Sequence, residues 1–147
     1  MNSPTFLIAL LLATVSFGVQ AAPEVLPLNA NELREMKLES TPPFPAEMVL
    51  EGKSEHWQRV LHQGEVVVAI YEAKPALLDI SDPFPYDEFV LVLEGQVTLT
   101  HIDGEKQTFN AGETFLVPKG FLGTWDMPGN YRELIVIETK AWLASGE

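Results

Sequence analysis

The side chain most suited to chemistry is Glu88, which follows an acidic stretch at residues 79–87 and begins an apolar run that continues to residue 93. An uninterrupted apolar run of this length is typical of a β-strand buried on both faces. A carboxylate in such surroundings is desolvated, which raises its pKa and prepares it to bind a cation or act as an acid or base. The alternative is a structural salt bridge with Lys119 or Arg132. The other acidic residues of the stretch are expected to form a solvated rim rather than a weak calcium site.

Three other side chains have both a structural and a functional interpretation. Trp125 is either core packing or one wall of a pocket. Tyr86 lies between proline and acidic residues, where it either caps a loop or contacts a ligand. His101 lies on a predicted strand of alternating polar and apolar residues, which favours a hydrogen-bonded surface or rim position over a ligand role.

Several classes of chemistry and partner are excluded. The sequence contains no cysteine, so it has no disulfide, thiolate metal site or cysteine nucleophile. It shows no phosphate-binding loop and no serine–histidine–acid order. The formal net charge of -12 repels nucleic-acid phosphates and anionic lipids, so neither is expected as a partner. The same charge favours cationic or neutral ligands.

The elements that would position these residues are short β-strands separated by turns. We predict strands at residues 66–73, 76–80, 88–93, 97–102, 107–110, 114–117, 123–127 and 132–139, with earlier strands from residue 49 onward. Asp103 and Gly104 predict a hairpin turn of type I′. Strands of this length and spacing indicate an all-β antiparallel sandwich or barrel.

The first 21 residues differ from the rest of the chain. Residues 6–19 are apolar and uncharged but too few to span a bilayer comfortably, and Val19 and Ala21 provide the small residues of a cleavage site. We predict a signal peptide at residues 1–21, and therefore a bacterial protein of the periplasm or the exterior without a membrane association after cleavage. A short buried helix or an uncleaved anchor is the alternative.

Residues 22–48 are predicted to form an extended arm because they contain five of the eleven prolines. Within this arm, Asn29 and Glu32 have the spacing of a helix start. We expect a helix of about two turns that ends near Lys37.

Two segments resemble the paired motifs of the cupin superfamily. In residues 82–95, Glu88 precedes Gly95 by seven positions, and in residues 112–125, Gly112, Pro118 and Gly120 follow at intervals of six and two. The local sequences 86–89 and 118–126 are most similar to ureidoglycine-aminohydrolase-like and ethanolamine-utilisation-like cupins. The resemblance spans residues 57–142 and implies a single antiparallel β-barrel, or jelly roll, over residues 49–147.

The resemblance also bears on metal binding. In metal-binding cupins, two histidines and the glutamate of the first motif act with a histidine of the second motif. Here the corresponding positions are Asp82, Phe84, Glu88 and Gly123, so only the glutamate is kept. Because a catalytic transition metal needs about three protein ligands, we expect no tightly held metal and no cofactor.

If Glu88 points into the barrel, as the resemblance implies, strand parity directs Val90 and Val92 there as well. The same parity groups Gly123 with Trp125. Gly123 would leave the space that an imidazole fills in other cupins, and Trp125 would occupy part of it. The predicted ligand-binding residues are therefore Asp82, Tyr86, Glu88, Gly123 and Trp125, with Asp82 and Tyr86 at the mouth.

Three functions follow from this pattern. The first is an exported cupin that binds a small polar metabolite in its barrel without a transition metal. The second is an enzyme that hydrolyses a small C–N compound, as the resemblance to ureidoglycine aminohydrolase implies, with Glu88 as acid or base. The third is a structural homodimer in which the arm crosses to the partner subunit.

Overall fold

The computed structural model describes residues 22–146, and the predicted signal peptide lies outside them. Within this part of the chain, eleven strands form two antiparallel sheets, as predicted for a cupin jelly roll. The first sheet has the order β1 (Glu39–Ser40), β3 (His56–Gln63), β4 (Val66–Ala73), β11 (Tyr131–Glu138), β6 (Glu88–Glu94) and β9 (Thr114–Val117). The second has the order β2 (Val49–Gly52), β5 (Ala76–Ile80), β10 (Gly123–Met127), β7 (Gln96–His101) and β8 (Lys106–Asn110).

Strand β11 shows how the sequence separates the two faces of the first sheet. It lies between β4 and β6, so its backbone is paired on both sides. Residues two apart share a face, and Tyr131, Ile135 and Ile137 belong to the clusters of the barrel interior. Leu134 instead packs in a separate cluster on the outer face of the sheet. The strand is therefore buried on both faces, which explains its nearly continuous apolar sequence.

The arm covers that outer face. Its helix α1 (Ala30–Glu35) begins where predicted, because the Asn29 side chain accepts a hydrogen bond of 3.0 Å from the Asn31 amide. The helix ends before Met36, slightly earlier than predicted. Leu33 is buried against residues of β4, β6 and β11. The helical part of the arm thus packs on the barrel of its own chain.

Arg132 fixes the arm to the sheet. Its guanidinium donates to Glu72 on β4 at 2.9 Å and to the Leu33 carbonyl oxygen of α1 at 2.8 Å. It also donates to the carbonyl oxygen of Arg34. These carbonyl groups have no partner within the short helix, so a cation here satisfies them. Of the two salt-bridge partners considered for Glu88, Arg132 is therefore engaged elsewhere.

Two local expectations are wrong. The turn at Asp103 and Gly104 is not of type I′, because positive φ occurs only at glycines among the described residues, and type I′ needs it at both central positions. The His101 carbonyl instead accepts from the Gly104 amide, and only Gly104 is left-handed. The last predicted strand also ends at Glu138, where the helix α2 (Thr139–Ser145) begins and buries Trp142 against the barrel.

In residues 22–146 the structure has no helix that is both long and apolar enough to cross a membrane.

Candidate functional site

A cavity of about 590 Å³ lies inside the barrel, and parts of both sheets and of the arm line it. Its walls are mainly apolar and aromatic. Its polar lining residues include Glu88 at the start of β6, Glu133 on β11, and His56 and Tyr71 on β3 and β4. A cavity of this size, with few polar groups in an apolar wall, has the general character of a small-molecule site.

Three of the five predicted binding residues line this cavity: Tyr86, Glu88 and Trp125. Their exposed fractions are 4%, 5% and 7%. Glu88 is paired with Ile137 of β11 and Val117 of β9, so it stands at the end of a strand in the interior of the first sheet. The resemblance to cupins implied that Glu88 points into the barrel, and in the structure its side chain lines the cavity.

Asp82 and Gly123 do not line the cavity. Asp82 is exposed in the loop before β6. At Gly123, a Cβ atom would lie 1.9 Å from the Thr100 carbonyl oxygen of β7, and the residue has a φ of 151°. Glycine is thus required for the close approach of β10 to β7. The expectation that Gly123 leaves space in the cavity is wrong, because strand backbone fills that place.

Glu133 is a second buried acid of the cavity and was not predicted from the sequence. Its exposed fraction is 4%, and the Tyr131 hydroxyl donates to Oε2 at 2.5 Å. Burial raises the pKa of Glu133 to about 8, although the hydrogen bond from Tyr131 acts in the opposite direction. Burial and the neighbouring acids also raise the pKa of Tyr131. The available signal was a lone glutamate on the apolar strand, in phase with inward-facing Ile135 and Ile137.

The arm closes one side of the cavity, which was also not predicted. Phe44 stacks on the His56 ring with centroids 4.1 Å apart and an interplanar angle of 5°. The Thr41 hydroxyl is 2.9 Å from His56 Nδ1, and the Thr41 amide donates to the His56 carbonyl oxygen. Burial lowers the pKa of His56, which keeps the imidazole neutral at neutral pH. The proline-rich segment is therefore part of the site.

Further aromatic rings line the cavity. Phe84 stacks on Trp125 at 6.2 Å between centroids and meets Tyr86 edge to face at 5.3 Å. Such ring pairs hold one another in fixed orientations and bury a large area. Trp125 is therefore both packing and cavity wall, so its two interpretations do not exclude each other.

Residues 61–132 match the model of the EutQ-like cupin domain. The chain carries a cupin domain. No curated protein has a matching sequence.

Solved structures show the same fold. A protein of unknown function from Pseudomonas syringae has 21% identity and a TM-score of 0.65, over 71% of this chain but only 45% of that longer chain. The EutQ protein of Clostridium difficile has 21% identity and a TM-score of 0.56, over 73% and 83% of the two chains. The polyketide cyclase RemF of Streptomyces resistomycificus has 16% identity and a TM-score of 0.52, over 79% and 80%. At these identities the likeness concerns the fold of the cupin, not its activity.

The side chains of this cupin do not fit the metal centre that other cupins carry. Among residues 22–146, no group of three or more histidine, cysteine, aspartate or glutamate side chains could hold a metal ion. His56 is the histidine of the cavity lining, and its Nδ1 is hydrogen bonded to Thr41. A catalytic transition metal needs about three protein ligands, so we derive no metal-dependent step.

His101 lies apart from the main cavity. It is exposed, 2.9 Å from the Asp103 carboxylate, and borders a smaller cavity of about 290 Å³ near Phe121. Its hydrogen-bonded rim position agrees with the interpretation favoured from the sequence.

Proposed function

We propose that this cupin is an exported protein that binds a small polar molecule inside its barrel, without a tightly held transition metal. The observation that carries the proposal is the juxtaposition of two buried acids, Glu88 and Glu133, with a cavity of about 590 Å³. Tyr86 and Trp125 would provide the aromatic contacts of the bound molecule.

Burying an acidic side chain costs free energy. Moving an ionised carboxylate out of water is expensive unless hydrogen bonds or opposite charge compensate, and otherwise the group shifts its pKa. A site that served only stability could replace both acids with apolar residues of similar volume, as is often neutral or stabilising for buried ionic groups. Their position beside an open cavity therefore favours a ligand role.

Binding is favoured over hydrolysis of a small C–N compound. The resemblance to ureidoglycine aminohydrolase implies a reaction that is normally metal-assisted, and the side chains around Glu88 do not fit such a centre. Binding is also favoured over a purely structural role of the arm as a bridge between subunits, because Leu33 of the arm is already buried against its own barrel. A homodimer built from other surfaces remains compatible with either function.

The test is thermal unfolding of the purified protein with a panel of small amines, alcohols and carboxylates, including phenethylamine, phenethyl alcohol and phenylacetate. A ligand that binds only the folded state must raise the melting temperature. We expect at least one compound to do so, and we expect Glu88→Gln to weaken its binding by about tenfold, the scale of one charged hydrogen bond. Glu94→Gln is the matched control, since Glu94 is exposed on the same strand.

A second variant tests the location. Ile135 lines the cavity, whereas its neighbour Val136 lies on the other side of β11. Ile135→Phe should fill the cavity and abolish the ligand-induced shift, and Val136→Phe should retain it. If no compound shifts the wild-type melting temperature, or if Ile135→Phe responds like wild type, the barrel is not the binding site.

A further inference from the structure

We propose that the cavity is selective for a small organic cation and that Glu133, held by Tyr131, is the residue that sets this selectivity. The inference rests on the proposed function, because it names the class of molecule that the same cavity would take.

The charges around the cavity are the first argument. Its charged or titratable lining residues are Glu88, Glu133, His56, Tyr71 and Tyr86, and the described lining contains neither lysine nor arginine. His56 is held neutral by burial. The only full charges that the lining can offer a ligand are therefore negative, so no group offers an anionic ligand an opposite charge, and an ionised acid would repel it in a medium that screens charge weakly. The net charge of -12 for the whole chain acts in the same direction at longer range.

The placement of the two acids is the second argument. Glu88 is opposite Ile137, and Glu133 is opposite Val92, with the apolar pair of Val90 and Ile135 between them on the same two strands. Their Cα atoms are thus about 14 Å apart along the strands, at a rise of about 3.4 Å per residue. An ammonium group at one acid would therefore place the carbon skeleton of the ligand beside Ile135, which lines the cavity between the two acids. This arrangement suits an amine with a carbon skeleton better than a bare inorganic ion.

The aromatic wall is the third argument. Phe44, Tyr71, Phe84, Tyr86 and Trp125 all line the cavity. The faces of these rings carry partial negative charge and attract ammonium groups, with tryptophan the strongest. An acid at one end and aromatic faces around the sides are complementary to the two parts of an organic cation.

The Tyr131–Glu133 pair allows the empty cavity to contain an acid without an uncompensated buried charge. Burial raises the pKa of Glu133 to about 8, so the acid is mainly protonated at neutral pH when no cation is present. The titratable groups that act on Tyr131 are Glu133 on the same strand, Tyr71 on β4 and Glu88 on β6, and each raises the pKa of Tyr131. An ammonium group favours the ionised form of Glu133. At neutral pH, binding would therefore release the carboxyl proton to solvent.

The experiment compares phenethylamine, phenethyl alcohol and phenylacetate, which share a ring and differ in the charge of the head group. Binding is measured by titration calorimetry at about pH 7 in two buffers of different ionisation enthalpy, which reports the protons released. We expect the amine to bind about tenfold or more tightly than the alcohol, as one charged interaction provides. We expect no binding of phenylacetate, and net proton release on binding of the amine.

Glu133→Gln should remove both the amine preference and the proton release. Glu138→Gln, which changes an exposed glutamate on the same strand, should change neither. If Glu133→Gln does not fold, Tyr131→Phe keeps the buried ring, removes the hydroxyl donor and should alter the number of protons released. If the alcohol and phenylacetate bind as tightly as the amine, the cation inference is overturned while the proposed function stands. If wild type binds none of the three and no other member of the panel, the proposed function itself fails.

Discussion

The two faces of β11 each bury a charged residue, and the surroundings of the two residues differ. On the outer face, Arg132 is 8% exposed and is fully engaged by Glu72 and by carbonyl groups of α1. On the inner face, Glu133 is 4% exposed and adjacent to a cavity, and it accepts a hydrogen bond from the Tyr131 hydroxyl. Of these two neighbouring residues on one strand, Arg132 therefore holds the arm on the sheet, and Glu133 lines the candidate site. A buried charge therefore indicates a candidate site only where a cavity lies beside it.

The largest expected effect concerns the contacts of Arg132 on the outer face of β11. Arg132→Met removes the cation that holds the arm and leaves Glu72 and the carbonyl groups of α1 without their partner. We expect the free energy of unfolding to fall by about 3 kcal/mol, which is typical of breaking a buried ion pair. Urea unfolding followed by circular dichroism measures it.

Arg59→Met is the control, since Arg59 is exposed and makes one contact to the arm, at the Lys37 carbonyl oxygen. It should cost well under 1 kcal/mol, the usual limit for an exposed residue. Equal losses in the two variants would contradict the role assigned to Arg132.

The next effect concerns the inner face and depends on pH. The folded protein holds a proton on Glu133 up to about pH 8, whereas the unfolded chain releases it in the ordinary glutamate range. The free energy of unfolding should therefore fall as the pH rises toward 8, by about 1.4 kcal/mol per pH unit from this group. Between about pH 6 and pH 8 the contribution is about 2 kcal/mol.

The measurement is a series of urea unfolding curves across that pH range for wild type and Glu133→Gln. Only the difference between the two is used, because histidines also titrate there. Glu133→Gln should flatten the decline, and Glu138→Gln should follow wild type. A decline that persists unchanged in Glu133→Gln would show that Glu133 is ionised throughout, which would contradict its raised pKa.

The smallest effect concerns the segment of the arm that covers the cavity. Phe44→Ala removes the ring stacked on His56, and we expect a loss of about 1 kcal/mol in stability, the scale of one aromatic pair. Ligand dissociation, measured by stopped flow, should become faster because this side of the cavity is opened.

Leu50→Ala is a matched control, since Leu50 is 51% exposed and is not a lining residue. It should leave the dissociation rate unchanged. If the ligand dissociates from Phe44→Ala at the wild-type rate, the arm does not limit ligand release.

The strands were predictable from the sequence because their residues obey local rules. Residues 66–73, 114–117 and 123–127 were predicted with the bounds that β4, β9 and β10 have. Alternation and turn residues determine such segments without reference to the rest of the chain. Glu88 was found in another way, because it keeps a spacing of seven positions to Gly95 that resembles the first cupin motif.

Other parts of the site could not be found this way. The role of Gly123 depends on how closely β10 approaches β7, and that distance is not encoded in the spacing of β10 alone. Glu133 belongs to a strand whose two faces are both buried. From the sequence, a charge there could be paired on the outer face of the sheet or point into the barrel. Only the positions of the helix and the cavity decide between the two.

By itself, the sequence determined the short strands and turns of an all-β chain, a proline-rich arm and one acid at the head of a strand. It did so because strands, turns and helix caps arise from interactions between residues close together in the chain. The tertiary structure decided that the arm returns over its own barrel, that Arg132 is satisfied outside, and that Glu133 joins Glu88 inside. Those outcomes depend on contacts between residues far apart in the chain, where the space left by packing determines what each buried charge can do.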